Sequence, residues 1–150
     1  MSRRSTISYA EAEKIGKSCL CARVQRASRA IGRWFDEAFR PVGLNNWQFT
    51  LLMTLNRPSP LTVNGLAEEL GMDRTTTTKN LKLLERRGLL EIRQDDEDAR
   101  MRRIVLTDAG GALLAKAFHH WQAANDAVAG SLKGGDLARV HAALKTIASR

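Results

Sequence analysis

The chain has 150 residues, 43% of them hydrophobic, enough for one compact domain or two small lobes around a real core. A formal net charge of +8 and a pI near 10.2 favour an anionic partner, most simply nucleic acid or an acidic membrane surface, while 5% aromatic residues argue against a single-strand reader built on base stacking. The opening "MSRRSTISYAEAEK" has no apolar signal core, no run approaches the ~18 residues of a membrane span, and Cys19 and Cys21 make no disulfide framework, so a cytoplasmic protein without a membrane partner is expected.

Ser8 and Glu11 match a capping box that opens a first helix. Apolar residues then recur at helical spacing, among them Ile15, Cys19, Ala22, Ile31, Trp34 and Ala38, up to Arg40, before Pro41. The pattern predicts one helix of about 30 residues, near 45 Å long at 1.5 Å per residue, whose apolar stripe calls for a partner subunit. A second helix follows "PVGLNN" with Trp47, Leu51, Leu52 and Leu55 inside, and "RPSPL" stops it. A third starts at Thr62, turns Val63, Leu66, Ala67 and Leu70 inward, and closes at Gly71. Asp73 is a good N-cap for a fourth helix that ends before Gly88. The period then becomes strand-like: "GLLEIRQ" and "MRRIVLT" predict two strands joined by the acidic loop "DDEDA". Thr107 or Asp108 caps a fifth helix with Leu113, Ala117, Trp121 and Val128 on one face, "GSLKGGD" breaks it, and a sixth carries Leu137, Val140, Leu144 and Ile147.

Third helix, Gly71, fourth helix and hairpin follow the order of a winged helix-turn-helix, whose second helix enters a DNA major groove. Thr75 to Thr78 are poor helix formers at the start of that helix, each costing roughly 0.5 kcal/mol relative to Ala. A helical wheel places Thr77 with Leu81 and Leu84, toward the core. Thr75, Thr78, Lys79, Lys82 and Arg86 fall on the opposite face, with Arg74 and Thr76 in the first turn. Short hydroxyls let the backbone approach DNA and can bond phosphates or base edges; the alternative is a solvated threonine-rich turn. Arg93, Arg100, Arg102 and Arg103 flank the acidic loop, and an arginine at a hairpin tip suits a narrow minor groove. The loop acids lack the spacing of a calcium site. Asp98 is expected to pair with a nearby arginine, stiffening the wing and orienting Arg100.

The stretch "LAEELGMDRTTTTKNLKLLERRGLLEIRQDDEDARMRRIVLTDAG" strongly resembles the MarR family of bacterial transcriptional regulators. Its L-A-x-x-L helix, D-R-T-T start, L-E-R-R-G-L turn, D-x-R wing and closing L-T-x-x-G carry the likeness, and the outer helices extend it over nearly the whole chain. The resemblance implies a mainly α fold with a small β-hairpin wing (α+β). A winged helix-turn-helix lobe, residues 44–107, would sit on a helical dimerisation region, residues 8–40 and 108–149, in a single domain of residues 1–150. It also implies a homodimer in which helices one, five and six interlock and two winged lobes grip a palindromic site on double-stranded DNA. Asp98 and Arg100 match the family's wing pair. Ala99 departs from the basic residue many members carry there, with Arg102 and Arg103 the candidates to compensate.

Counted to "GLNNWQ", Cys21 resembles the peroxide-sensing cysteine of the family's organic-hydroperoxide regulators. The tyrosines that activate that thiol correspond here to Gln25, Phe35 and Asn46, so the hydroxyls are gone, though Arg23 or Arg26 remain to lower a thiol pKa. The other readings are a buried apolar cysteine or a residue lining a ligand pocket. Cys19 and Cys21, two apart on one helix, are expected to point apart and not to bridge. The family's small phenolic or carboxylate effectors bind between dimer base and DNA lobes, a crevice that Cys21, Gln25 and Trp47 can reach; core packing is the alternative for Trp47. His119, His120 and His141 lack metal spacing, and no nucleophile–base set or phosphate loop is present, so neither cofactor nor enzyme is expected.

The expectation is a dimeric repressor that occupies a promoter and is released when an effector changes the spacing of its reading heads. Its rivals are a thiol-based redox-sensing regulator, a winged-helix protein-interaction module without a DNA role, and a nonspecific architectural DNA binder.

Overall fold

The computed structural model describes residues 6–95, 97–132, 134 and 136–149. Residues 1–5, Asp96 of the acidic loop, and Lys133 and Gly135 of the predicted break lie outside the described residues. In chain order the elements are α1 (Tyr9–Ser18), α2 (Leu20–Phe39), a 3-10 turn (Arg40–Val42), α3 (Asn46–Leu55), β1 (Leu61–Thr62) and α4 (Val63–Leu70). They continue with α5 (Arg74–Arg86), β2 (Leu90–Gln94), β3 (Arg102–Leu106), α6 (Asp108–Ser131) and α7 (Leu137–Ala148). None of these helices is long and apolar enough to cross a membrane. The chain divides into two compact units, one ending at Trp34 and one beginning at Phe35.

In the first unit the predicted capping box is present. The Ser8 amide donates to the Glu11 carboxylate at 2.8 Å, and the Glu11 amide donates back to the Ser8 hydroxyl at 3.3 Å. The expected single helix of about 30 residues is instead two. Cys19 leaves helical geometry, with φ −66° and ψ 107°, and α1 stops at Ser18. Periodicity continues across the break because Cys19 begins the next helix as it ends the first. Its amide bonds the Ile15 carbonyl at 2.8 Å, its carbonyl takes the Arg23 amide at 3.2 Å, and its Sγ accepts the Ala22 amide at 3.4 Å. The Arg23 guanidinium reaches back to the Lys17 carbonyl. Backbone groups that a break would orphan are thereby satisfied. The two thiols do not share one helix as expected, since Cys19 lies between α1 and α2; both are free thiols.

In the second unit, Leu51, Leu52, Leu66, Leu81, Leu84, Leu90 and Ile104 are fully buried and bring α3, α4, α5 and the sheet around one core. Phe39 stacks on Phe49 with ring centroids 4.4 Å apart. Asn45 and Gln48 form a second capping box at the start of α3. The core closes over Gln48, Phe49, Leu51, Leu52 and Leu55, but Trp47, expected inside, is 49% exposed. The predicted hairpin is the major part of a three-stranded antiparallel sheet in the order β1-β3-β2. Leu90 pairs with Leu106 and Ile92 with Ile104, and the unforeseen β1 adds Leu61 opposite Ile104. This two-residue strand follows Pro60 directly, at an edge where proline costs no ladder bond.

The exit of α5, the root of the wing and the start of α6 meet at Thr107. Its hydroxyl donates to the Gly88 carbonyl at 2.7 Å and accepts the Gly110 amide at 3.0 Å, while its own amide donates to the Leu89 carbonyl at 3.2 Å. A Cβ on Gly110 would lie 2.0 Å from the Leu89 carbonyl oxygen and 2.8 Å from Leu106 Cδ1; one on Gly111 would meet nothing within 4 Å. The glycine of L-T-x-x-G is therefore a packing requirement. Gly110→Ala is expected to destabilise the fold by about 1–3 kcal/mol through overpacking against rigid backbone. Gly111→Ala should stabilise it by about 0.5–1 kcal/mol through helix propensity. Urea unfolding of both variants checks this; equal shifts of the same sign would contradict it.

Candidate nucleic-acid interface

Asp73 starts α5 as predicted: its Oδ1 accepts the Thr76 amide at 2.8 Å. Hydrogen bonds from Thr76, the hydroxyl first and the amide second, hold the Asp73 carboxyl below the usual carboxylate range. The four threonines then separate by role. Thr77 is fully buried and its hydroxyl donates to the Asp73 carbonyl at 2.9 Å. Thr78 is half-buried, not fully outward as the wheel suggested, and its hydroxyl donates to the Arg74 carbonyl at 2.8 Å. Thr76 is exposed, with its carbonyl accepting Asn80 Nδ2 at 3.0 Å. Thr75 is exposed, and its hydroxyl has no partner among the described residues. Back-bonding to the i−4 carbonyl satisfies the Thr77 and Thr78 hydroxyls within the helix.

Thr75, Lys79, Lys82 and Arg86 recur at spacings of four, three and four, one outward stripe, and all are exposed, as is Arg74 at the helix start. None of these cations has an ion-pair partner among the described residues. The single acid on α5, Glu85, faces the sheet and accepts the Ile92 amide at 3.3 Å.

The wing is built differently from the expectation. Asp95, not Asp98, forms the ion pair: its Oδ2 binds Arg103, and its Oδ1 accepts the amides of Glu97 and Asp98, both at 2.9 Å. Asp98 accepts the backbone amide of Arg100 at 2.9 Å, so it orients that residue through the main chain. The reason is reach: Asp95 leaves the end of β2 beside β3, where Arg103 stands, while Asp98 lies at the tip within the loop's own backbone turn. Arg103 also donates to the Pro60 carbonyl at 3.1 Å, fastening β1 to the wing, and Arg93 pairs with Glu91 at 2.6 Å. Arg103 and Arg93 are thus engaged within the wing, and Arg100 and Arg102 remain as its exposed cations without an ion pair among the described residues.

Arg100 and Arg102 line one groove with Arg74, Thr62 and Asn64, a hollow of about 300 Å³ between the wing and the starts of α4 and α5. Sequence reasoning missed Asn64 and Asp95. Asn64 could have been found from its place in the first turn of α4; Asp95 could not be told from its acidic neighbours. Of the remaining candidates, Cys21 and Gln25 come together on α2, with Gln25 Nε2 donating to the Cys21 Sγ at 3.4 Å. Cys21 is exposed in the single chain. Trp47 belongs to the other unit. No cluster of three or more His, Cys, Asp or Glu able to hold a metal occurs among the described residues.

The Arg103 guanidinium, followed by the Asp98 and Glu97 amides, holds the Asp95 carboxyl below its usual range. A depressed folded pKa gives stability that is present above the unfolded value, about 3.9, and is lost as pH falls through the folded value. The Glu97 and Asp98 amide resonances are therefore expected to titrate with a midpoint below about 3.9, and Asp95→Asn should abolish that transition. A midpoint at or above the ordinary aspartate value would contradict this structure for the wing.

A model described as the MarR family matches residues 42–101, which covers α3, α4, α5 and the wing tip. The organic hydroperoxide resistance transcriptional regulator of Bacillus subtilis (strain 168) is 31% identical over 98 residues, 65% of this chain and 67% of that protein. The M. tuberculosis transcriptional regulator MosR, crystallised in complex with DNA, is 36% identical with a TM-score of 0.79 over 87% of this chain and 93% of its own. The repressor CouR, bound to a 23-mer DNA duplex, is 25% identical with a TM-score of 0.78 over 97% of this chain and all of its own. These relatives are regulators of transcription and not enzymes, and the chain belongs with them to the MarR family of transcriptional regulators.

Proposed function

We propose that this protein is a dimeric, sequence-specific, double-stranded DNA-binding repressor of the cytoplasm. The observation that carries the reading is the cationic, acid-free outer stripe of α5 beside the groove where Arg74, Arg100 and Arg102 converge. A helix of this chemistry suits the major groove, and two arginines at a wing suit the minor groove. The DNA complexes of MosR and CouR support it. A protein-interaction module would gain nothing from so many unpaired cations on one face. Dimerisation is supported by α7, which buries none of its residues in the single chain and leaves Val140, Leu144 and Ile147 at 38%, 46% and 44% exposure.

Release by an effector fits an apolar hollow of about 530 Å³ between α3 and α6, walled by Phe49, Met53, Leu114 and Phe118 and edged by His119. Aromatic walls with one ionisable edge group suit a small phenolic or carboxylate ligand. A second reading, thiol sensing, is favoured by the exposed Cys21 and its Gln25 contact and by the name of the Bacillus subtilis relative.

Sedimentation at micromolar concentration is expected to give twice the chain mass, and a monomer at all concentrations would exclude a dimer. On a panel of single-base operator changes across a salt series, Lys82→Ala should weaken all duplexes alike and flatten the salt dependence by about one unit. Thr75→Ala should relax base preference by about 1–3 kcal/mol at one or two positions per half-site. Uniform weakening by Thr75→Ala with unchanged preference would remove the threonine from sequence reading. For the thiol reading, organic hydroperoxide should release DNA from wild type but not from Cys21→Ser. Full affinity after demonstrated oxidation of Cys21 would reject it.

A further inference from the structure

The positive charge of this chain is concentrated away from the winged lobe. Residues 1–34 hold eight of the 24 Lys and Arg and two of the 16 Asp and Glu, hence six of the eight net positive charges. Within the first unit, the part of α2 from Leu20 to Trp34 carries Arg23, Arg26, Arg29 and Arg33 and no acid at all. At 100° per residue these arginines gather on one side of the helix, opposite the stripe of Leu20, Val24, Ala27 and Ile31. All four are exposed. Arg23 is committed to the Lys17 carbonyl across the break at Cys19, while Arg26, Arg29 and Arg33 have no side-chain hydrogen bond or ion pair among the described residues. The acids of this unit are occupied on α1, Glu11 by Ser8 and Glu13 by Lys17.

Fixing three like charges along one helix face disfavours the isolated helix, since like pairs at these spacings repel. A polyanion would remove that cost. Arg26 to Arg33 spans roughly 10 Å of helix axis at 1.5 Å per residue, about three phosphate steps of one DNA strand at 3.4 Å each. Guanidinium groups bind phosphate bidentately, which ammonium groups cannot. We infer that Arg26, Arg29 and Arg33 of α2 form a second, sequence-independent contact surface for the phosphate backbone of duplex DNA, separate from the groove-reading face of α5. The inference rests on the DNA-binding reading above and adds a surface to it. It divides the labour: the winged lobe supplies base preference, and α2 supplies salt-sensitive affinity.

The test is a salt series of duplex binding by full-length wild type and by the triple variant Arg26→Gln, Arg29→Gln, Arg33→Gln. Glutamine is chosen because its helix propensity is close to that of arginine. Each lost phosphate contact removes about 0.9 from the slope of log affinity against log salt, so the triple variant should be flatter by about 2.7, with base preference unchanged. The matching triple lysine variant keeps the charges and should keep most of the slope. An unchanged slope in the glutamine variant, with wild-type binding intact, overturns this inference alone. Absence of duplex binding by wild type overturns the DNA reading together with it. Two further outcomes also reject the assignment: a glutamine variant that sediments at a different mass, which makes the face a subunit contact, and loss of binding to phosphatidylglycerol vesicles with an unchanged duplex slope.

Discussion

The junction at Thr107 is the constraint on which the rest of the winged unit depends. Two segments distant in sequence converge there within hydrogen-bond distance: the Gly88–Leu89 turn that ends α5, and the stretch from Thr107 to Gly110 that opens α6. The Thr107 hydroxyl donates to one segment and accepts from the other, so its two capacities are both used. The missing side chain of Gly110 lets α6 approach the Leu89 carbonyl closer than any Cβ allows. Because Leu84, Leu89 and Leu90 are buried beside this clasp, the direction in which α5 leaves the core and the direction in which the wing departs are fixed together. The proposed reading head needs that coupling, since Arg74 comes from one element and Arg100 and Arg102 from the other.

A second coupling runs through the wing. Asp95 gathers two loop amides and Arg103, and Arg103 in turn grips the Pro60 carbonyl at the edge strand. A single ion pair at the protein surface, even one half-buried like this, stabilises only modestly in isolation. Its effect here is positional: it shapes a short acidic loop so that Arg100 and Arg102 project from it while Arg93 and Arg103 are held back. The acids of the wing thereby sort four arginines into two that build and two that are available to a partner. On α5 the same sorting falls to the threonines, where Thr77 fills core and Thr78 bonds its own helix, leaving Thr75 with a hydroxyl that has no partner among the described residues.

Much of this was legible in the chain because it rests on local rules. Capping residues announced α1, α4, α5 and α6, and the change from helical to alternating period announced the wing. The burial of Thr77 with Leu81 and Leu84 followed from the helical wheel alone. What escaped was decided by contacts distant in sequence or by one residue's backbone. Nothing in "KSCLCAR" distinguishes a helix-continuing Cys19 from one that ends a helix and caps the next. The edge strand β1 is two residues behind a proline and exists because β3 is there to pair with it. Asp95 was one acid among several until the register of β2 and β3 set it beside Arg103. Trp47 carried the right period but stays half exposed between the buried Leu44 and Gln48.

The central claim is that the outer stripe of α5 and the tip of the wing meet duplex DNA together. Amide chemical-shift mapping during titration of the full-length protein with duplex DNA tests it most directly. The account predicts that the largest changes fall on Arg74 to Lys79 and on Asp98 to Arg102, with little change at the buried Leu51 and Leu66. Saturable binding whose perturbations leave both of these segments untouched would contradict it.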